Sequence, residues 1–244
     1  HTPKLPYPNA CRERTHTHPS LRTYTPSPFP MPDDVETRDA PFVREWIRAF
    51  SRRIDENKSH LTKLDSAIGD GDHGQNMHRG LQAAVQSISE DDIGGMLRKA
   101  AMAVISKTGG ASGPLYGTFF MDAGKAAPDG DLTLGDWATM MRAGLEGVQK
   151  RGKADTGEKT MVDVLVPAVD ALDEAVSGGG SWAEALVSAT DAAENGMHAT
   201  TPLVATKGRA SYLGERSKGH QDPGATSTYH LFAAAVDAET NGGS

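Results

Sequence analysis

Cysteine is almost missing from this chain: Cys11 is alone among 244 residues. No internal disulfide can form, and a reducing, cytoplasmic setting is the expectation. Basic excess is missing as well. Twenty-five Lys and Arg against 32 Asp and Glu leave a formal net charge of −7, which argues against nucleic acid or an anionic membrane as the main partner. No run approaches the roughly 18 apolar residues of a membrane span, and the first residues lack the apolar core of a signal peptide. Strand-type alternation is nearly absent. There is no G-x-S-x-G elbow to support serine hydrolase chemistry, and no G-x-G-x-x-G following a strand to support a dinucleotide fold. The stretch from Gly147 to Gly152 and Lys153 has the form G-x-x-x-x-G-K, but Ala154 stands where Ser or Thr is required. It also continues a helical pattern, so it is not a P-loop. Asn57-Lys58-Ser59 matches a glycosylation sequon and, without an export signal, is read as chance.

What is present divides at about residue 33. Residues 1–33 are rich in Pro, Thr and His without apolar periodicity. That composition buries too little surface to offset ordering entropy, so a disordered extension is expected. Met31 stands just before the first periodic segment, consistent with a tail outside the fold, and His1, His16 and His18 are read as solvated. Beyond it, Phe42, Val43, Trp46, Ile47, Phe50 and Ile54 recur at spacings of three and four, one face of an amphipathic helix. Similar periodicity runs through 75–88, 91–106, 113–126, 133–150, 160–177, 181–198 and 225–239. Thr133-x-x-Asp136 and Ser181-x-x-Glu184 read as capping boxes. The expectation is an all-α domain of about eight antiparallel helices over residues 34–244.

Between the helices lie four glycine-rich segments: DSAIGDGDHG, KTGGASGPLYG, RGKADTGEKT and KGRASYLGERSKGHQDPGATS. Stable bundles do not need such loops, whereas ligands that approach the backbone closely do. In the first, Asp65, Asp70 and Asp72 fall within eight residues and repel one another unless a cation intervenes. Their hard oxygens suit Mg²⁺ or Ca²⁺. EF-hand spacing fails, because position five would be Gly74 and position twelve Leu81. Mg²⁺ held by a few carboxylates completes its shell with water and phosphate oxygens, so a phosphate-bearing ligand is expected. In the second, Gly-Gly-Ala-Ser-Gly precedes an apolar helix and offers free amides and the Ser112 hydroxyl to an anion. His78, His198, His220 and His230 are scattered and read as structural or surface groups; His73 is set apart by its place beside the aspartates.

With these loops, residues 40–240 resemble the nucleotide-binding L subunit of dihydroxyacetone kinases, through LDSAIGDGDHGQNMHRG, GGASGPLYGTFF, GVQKRGKADTGEKTMVDVLVPAV and KGRASYLGERSKGHQDPGATS. The resemblance implies an antiparallel eight-helix barrel with ADP or ATP held by the loops at one end. It implies two Mg²⁺ ions at Asp65, Asp70 and Asp72. It places the nucleotide on His73, Gly74, Gln75, Asn76, Ala111, Ser112, Gly152, Met161, Arg209, Asp222, Pro223 and Gly224. No catalytic residue is assigned in this chain, since in the family dihydroxyacetone is bound covalently to a histidine of a separate K subunit. Of the two family branches, the wording GDGDHGQNM resembles the one whose bound ADP is recharged by an M-type phosphocarrier protein of the phosphoenolpyruvate-dependent phosphotransferase system. A homodimer is expected too. The alternatives are an L-type subunit of an ATP-dependent short-sugar kinase, and a nucleotide-binding regulatory module.

Overall fold

The computed structural model describes residues 35–89 and 92–242; the extension expected at 1–33 lies outside them. Eight α-helices carry the described fold: α1 (Ala40–Ile68), α2 (His73–Ser87), α3 (Ile93–Lys107), α4 (Ser112–Ala126), α5 (Leu134–Gly152), α6 (Val162–Gly178), α7 (Trp182–Ala199) and α8 (Pro223–Gly242). Two-residue strands, β1 (Thr37–Arg38) and β2 (Leu132–Thr133), pair antiparallel, with Thr37 opposite Thr133 and Arg38 opposite Leu132. A 3₁₀ segment, Arg209–Ser217, lies in the long connection from α7 to α8.

Local chemistry sets the helix starts. The Asp39 side chain accepts from the Phe42 amide, and both expected capping boxes form, Thr133 with Asp136 and Ser181 with Glu184. The first helix is longer than its clearest apolar pattern suggests, running 29 residues to Ile68. Asp65 therefore stands in the last turn of α1 rather than in a loop. The polar stretch at 55–60 is simply the solvent side of a helix whose buried stripe resumes at Leu61, Asp65 and Ile68.

Each helix packs against the next in sequence, and α8 closes on α1. The result is a closed antiparallel ring. In such a ring every connection from an odd helix to an even one falls at the same end. These four are the segments at 69–72, 108–111, 153–161 and 200–222, the glycine-rich loops of the sequence. The opposite end is pinned by aromatics from the starts of odd helices. Phe42 meets Trp137 and Trp182 edge-on at 5.5 Å, and Trp46 meets Trp137 at 4.8 Å. Such contacts bury large areas and fix geometry. One end thus carries a buried aromatic cluster, and the other is polar and rich in glycine.

On the ring's outer seam, α8 places His230 close to Arg53 and His60 of α1, only 7% exposed. Burial first, then these neighbouring cations, push its pKa down to about 4. An unfolded His titrates near 6.5, so between these values the unfolded chain binds the extra proton. Stability from this group is present above about pH 6.5 and is lost as pH falls toward 4. Replacing His230 with Gln is expected to flatten the fall of unfolding free energy between pH 6.5 and 5 by about 1.4 kcal/mol per pH unit, one proton's worth. Denaturant melts across that range measure it; an unchanged slope would mean that His230 titrates normally.

Candidate functional site

The four odd-to-even loops enclose a cavity of about 710 Å³. Its carboxylate wall comes from the end of α1 and the following turn. Asp65 is 8% exposed, and its Oδ2 accepts the amides of Asp72 at 2.8 Å and His73 at 3.1 Å. One carboxylate oxygen thereby caps the N-terminus of α2. The other, Oδ1, faces Gly69, where a Cβ would lie 2.0 Å from it, so a side chain there would push the carboxylate aside. Gly71 then adopts φ +73 and reverses the chain. These constraints bring ligand oxygens of Asp65, Asp70 and Asp72 within 4.8 Å of one another, with Asp70 and Asp72 open to solvent. Three hard oxygen donors with an open face fit Mg²⁺ completed by water or phosphate oxygens. Across the cavity mouth, Arg209 Nη2 pairs with Asp70 Oδ2 at 2.8 Å.

His73 joins three helices. Its Nε2 lies 2.9 Å from Ser227 Oγ on α8, and its Nδ1 lies 3.1 Å from Ser112 Oγ at the start of α4. Ser227 and Thr228 both donate to the Gly224 carbonyl, at 3.0 and 2.8 Å, while the Tyr116 hydroxyl is 2.7 Å from Ser227 and 2.9 Å from Thr228. With the Ser227 proton on Gly224, Nε2 of His73 donates to Ser227 and Nδ1 accepts from the Ser112 hydroxyl. Burial pushes the His73 pKa down to about 4, against the pull of Asp65 and Asp72, so the ring is neutral at physiological pH and serves as a fixed dipole. Asp222 behaves oppositely: burial raises its pKa to about 7, although Oδ2 accepts the Ala225 amide at 2.7 Å at the start of α8.

Of the residues expected from sequence, Asp65, Asp70, Asp72, His73, Ala111, Ser112, Gly152, Met161, Arg209, Asp222, Pro223 and Gly224 all line this cavity. Gly74, Gln75 and Asn76 do not. Gly74 faces α1, where a Cβ would lie 2.1 Å from the Lys58 carbonyl oxygen. Gln75 is exposed. Asn76 sits beneath the next loop: its Oδ1 accepts from Arg79 at 2.7 Å and lies 2.8 Å from where a Cβ on Gly109 would be. The G-x-x-x-x-G-K decoy lies in the last turns of α5, without the strand-to-helix setting of a P-loop. Two features are absent from the sequence reading. Lys159 lines the cavity while being 1% exposed. Thr226, Ser227 and Thr228 are buried polar residues in the first turns of α8; a polar run opening an otherwise apolar helix was the available signal.

Ring and cavity together define a class: an all-α barrel whose loop end presents a carboxylate cluster beside the glycine-rich N-terminus of a helix. Residues 67–237 match the model of the DAK2 domain. Across 84% of its length the chain is 45% identical to the PEP-dependent dihydroxyacetone kinase 1, ADP-binding subunit DhaL, of Listeria innocua, and covers 100% of that protein. It is 46% identical over 78% of its length to the PEP-dependent dihydroxyacetone kinase ADP-binding subunit DhaL of Escherichia coli, covering 92% of it. The fold aligns with a crystal structure of the dihydroxyacetone kinase from C. freundii in complex with AMP-PNP and Mg²⁺, at a TM-score of 0.59 and 24% identity. That alignment covers 94% of this chain and 38% of that one. The chain belongs to the DAK2 domain family. Among the described residues no helix is long and apolar enough to cross a membrane.

Proposed function

We propose that this chain is the ADP-binding subunit of a dihydroxyacetone kinase, a phosphotransferase with an alcohol group as acceptor. Residues 34–244 would hold Mg²⁺ and ADP, accept a phosphoryl group on the ADP, and pass it to dihydroxyacetone held on a separate K subunit. The reading rests chiefly on one observation: the Asp65, Asp70 and Asp72 oxygens, within 4.8 Å of one another, share a cavity with the Ala111–Ser112 start of α4. Carboxylates that gather a divalent cation beside a helix N-terminus that attracts anions are the two halves of a metal–phosphate site. The near full-length identity to DhaL proteins supports the particular activity.

In transfer, the bond from the γ-phosphorus to the ADP oxygen breaks as the bond to a sugar hydroxyl oxygen forms. The needs are positioning and charge neutralisation. Asp65, Asp70 and Asp72 would hold two Mg²⁺ ions, which supply positive charge to the phosphate oxygens when bound. The α4 amides orient the phosphates, and Arg209 adds a cation at the mouth. His73, with its two ring nitrogens engaged by Ser227 and Ser112, fixes Ser112; the base for the sugar hydroxyl would come from the K subunit that holds the sugar. The recharging donor is an M-type phosphocarrier protein of the phosphoenolpyruvate-dependent system, the complex is cytoplasmic, and the chain acts as a homodimer.

Calorimetric titration of the purified chain with ADP tests the site. One ADP per chain is expected with Mg²⁺, and loss of detectable binding when EDTA removes the metal. Equal affinity in EDTA would overturn the metal–phosphate reading.

A further inference from the structure

Lys159 is an unusual residue to find buried. It adopts φ +62, in the left-handed region that a side chain disfavours, and is 1% exposed. Its partners are carbonyls rather than carboxylates. Nζ donates to Thr200 O at 2.5 Å and to His220 O, with Thr201 O at 3.5 Å. Burying an ammonium is costly, and an apolar residue of similar volume would serve packing better. What the lysine provides is a grip on several backbone oxygens at once. Thr200–Thr201 and His220 lie at the two ends of the segment that joins α7 to α8, and Arg209 lies within it.

The neighbouring residue holds the same segment near its middle. The Glu158 carbonyl accepts the Thr206 amide at 3.3 Å, its carboxylate accepts the Thr206 hydroxyl at 3.1 Å, and Lys207 Nζ stands 3.6 Å away. Two residues later, Arg209 reaches Asp70. The short bracket Glu158–Lys159 is itself fixed, because Asp163 accepts the amides of Gly157 and Thr160 at 2.5 and 2.7 Å.

We infer that Lys159 is a positioning residue that clamps both ends of segment 200–222, so that Arg209 is held across the cavity mouth and bound nucleotide is retained. The nucleotide part rests on the function proposed above. The Lys159 donors face the Thr200, Thr201 and His220 carbonyls, so its role runs through the segment they belong to.

Hydrogen exchange on the nucleotide-free full-length chain tests the clamp itself. Lys159→Met keeps the volume and removes the donors. It is expected to speed amide exchange across 200–222 while α1 to α6 exchange as in the wild type. Release of the fluorescent nucleotide mant-ADP in Mg²⁺ tests the consequence. Lys159→Met should speed it by about tenfold, the scale of a lost charged hydrogen bond. The double variant with Arg209→Ala should release no faster than Arg209→Ala alone, because the lysine acts through the segment that carries Arg209. Glu158→Ala, which removes the carboxylate contacts to Thr206 and Lys207 along with that to the Asp155 amide but leaves the backbone bond to Thr206, should speed release by about threefold, and carries the test if Lys159→Met does not fold. Unchanged exchange at 200–222, wild-type release from both single variants, or additive effects in the double variant would overturn the clamp. A wild-type chain that fails to bind mant-ADP would contradict the proposed function instead, leaving the exchange result to decide the clamp.

Discussion

Asp72→Ala, and separately Asp70→Ala, is expected to lower Mg²⁺-dependent ADP retention by about 100-fold or more while leaving helix content unchanged. Second-sphere changes alone cost about 10- to 100-fold in metal affinity, and a lost ligand costs at least as much. The fold should survive because neither carboxylate supports it. Asp72 precedes α2 without a side-chain capping bond, and the Asp70 carboxylate pairs with exposed Arg209 across the mouth. Asp65 differs. Its Oδ2 accepts two amides at the start of α2, so Asp65→Ala should lose stability along with metal, by about 1 kcal/mol as for other lost caps. Circular dichroism and ADP calorimetry on the three variants separate these roles. Wild-type ADP affinity in Asp70→Ala or Asp72→Ala would remove the metal assignment.

The second large effect belongs to the fold end of the same turn. Gly74→Ala is expected to lower the melting temperature by roughly 5–10 °C, from about 2–3 kcal/mol of overpacking. A methyl there would sit 2.1 Å from the Lys58 carbonyl oxygen, 2.6 Å from Thr62 Oγ1 and 3.0 Å from the Thr62 amide nitrogen. Two of those atoms are backbone of α1 and cannot rotate away, so α2 must move outward. His73 and Asp72 would move with it, and ADP retention should fall as well. Gly130→Ala is the control, since a Cβ there meets nothing within 4 Å and should change stability by less than about 0.5 kcal/mol. Differential scanning calorimetry decides; equal melting temperatures for the two variants would mean that α1 and α2 can separate without loss.

Much of this architecture is legible in the sequence because it is carried by local signals. Apolar periodicity and the capping boxes at Thr133 and Ser181 are short-range features, and they form as expected. The four glycine-rich loops could be read as one site because alternate connections of an up-and-down ring share an end. Asp65, Asp70 and Asp72 converge for a local reason too: Gly69 and Gly71 allow the turn. What sequence could not supply depends on distant partners. Gly74 and Asn76 stand in the same run as His73, yet they face α1 and the Gly109 turn because α2 is already helical there. Lys159 reads as one more charge in a polar loop until Thr200 and His220 are brought to it. The neutral state of His73 likewise depends on burial under α4 and α8, contributed by residues 39 and 154 positions away.

The proposed division of labour puts the nucleotide on this chain and the sugar on another. It is tested most directly by assaying dihydroxyacetone phosphate from purified components: this chain loaded with Mg²⁺ and ADP, a K-type subunit, and a phosphoenolpyruvate-fed phosphocarrier. Product is expected only when all are present, with the ADP remaining on this chain through repeated turnovers. Product formed without the K-type subunit, or none from the complete mixture while this chain retains ADP, would contradict the account.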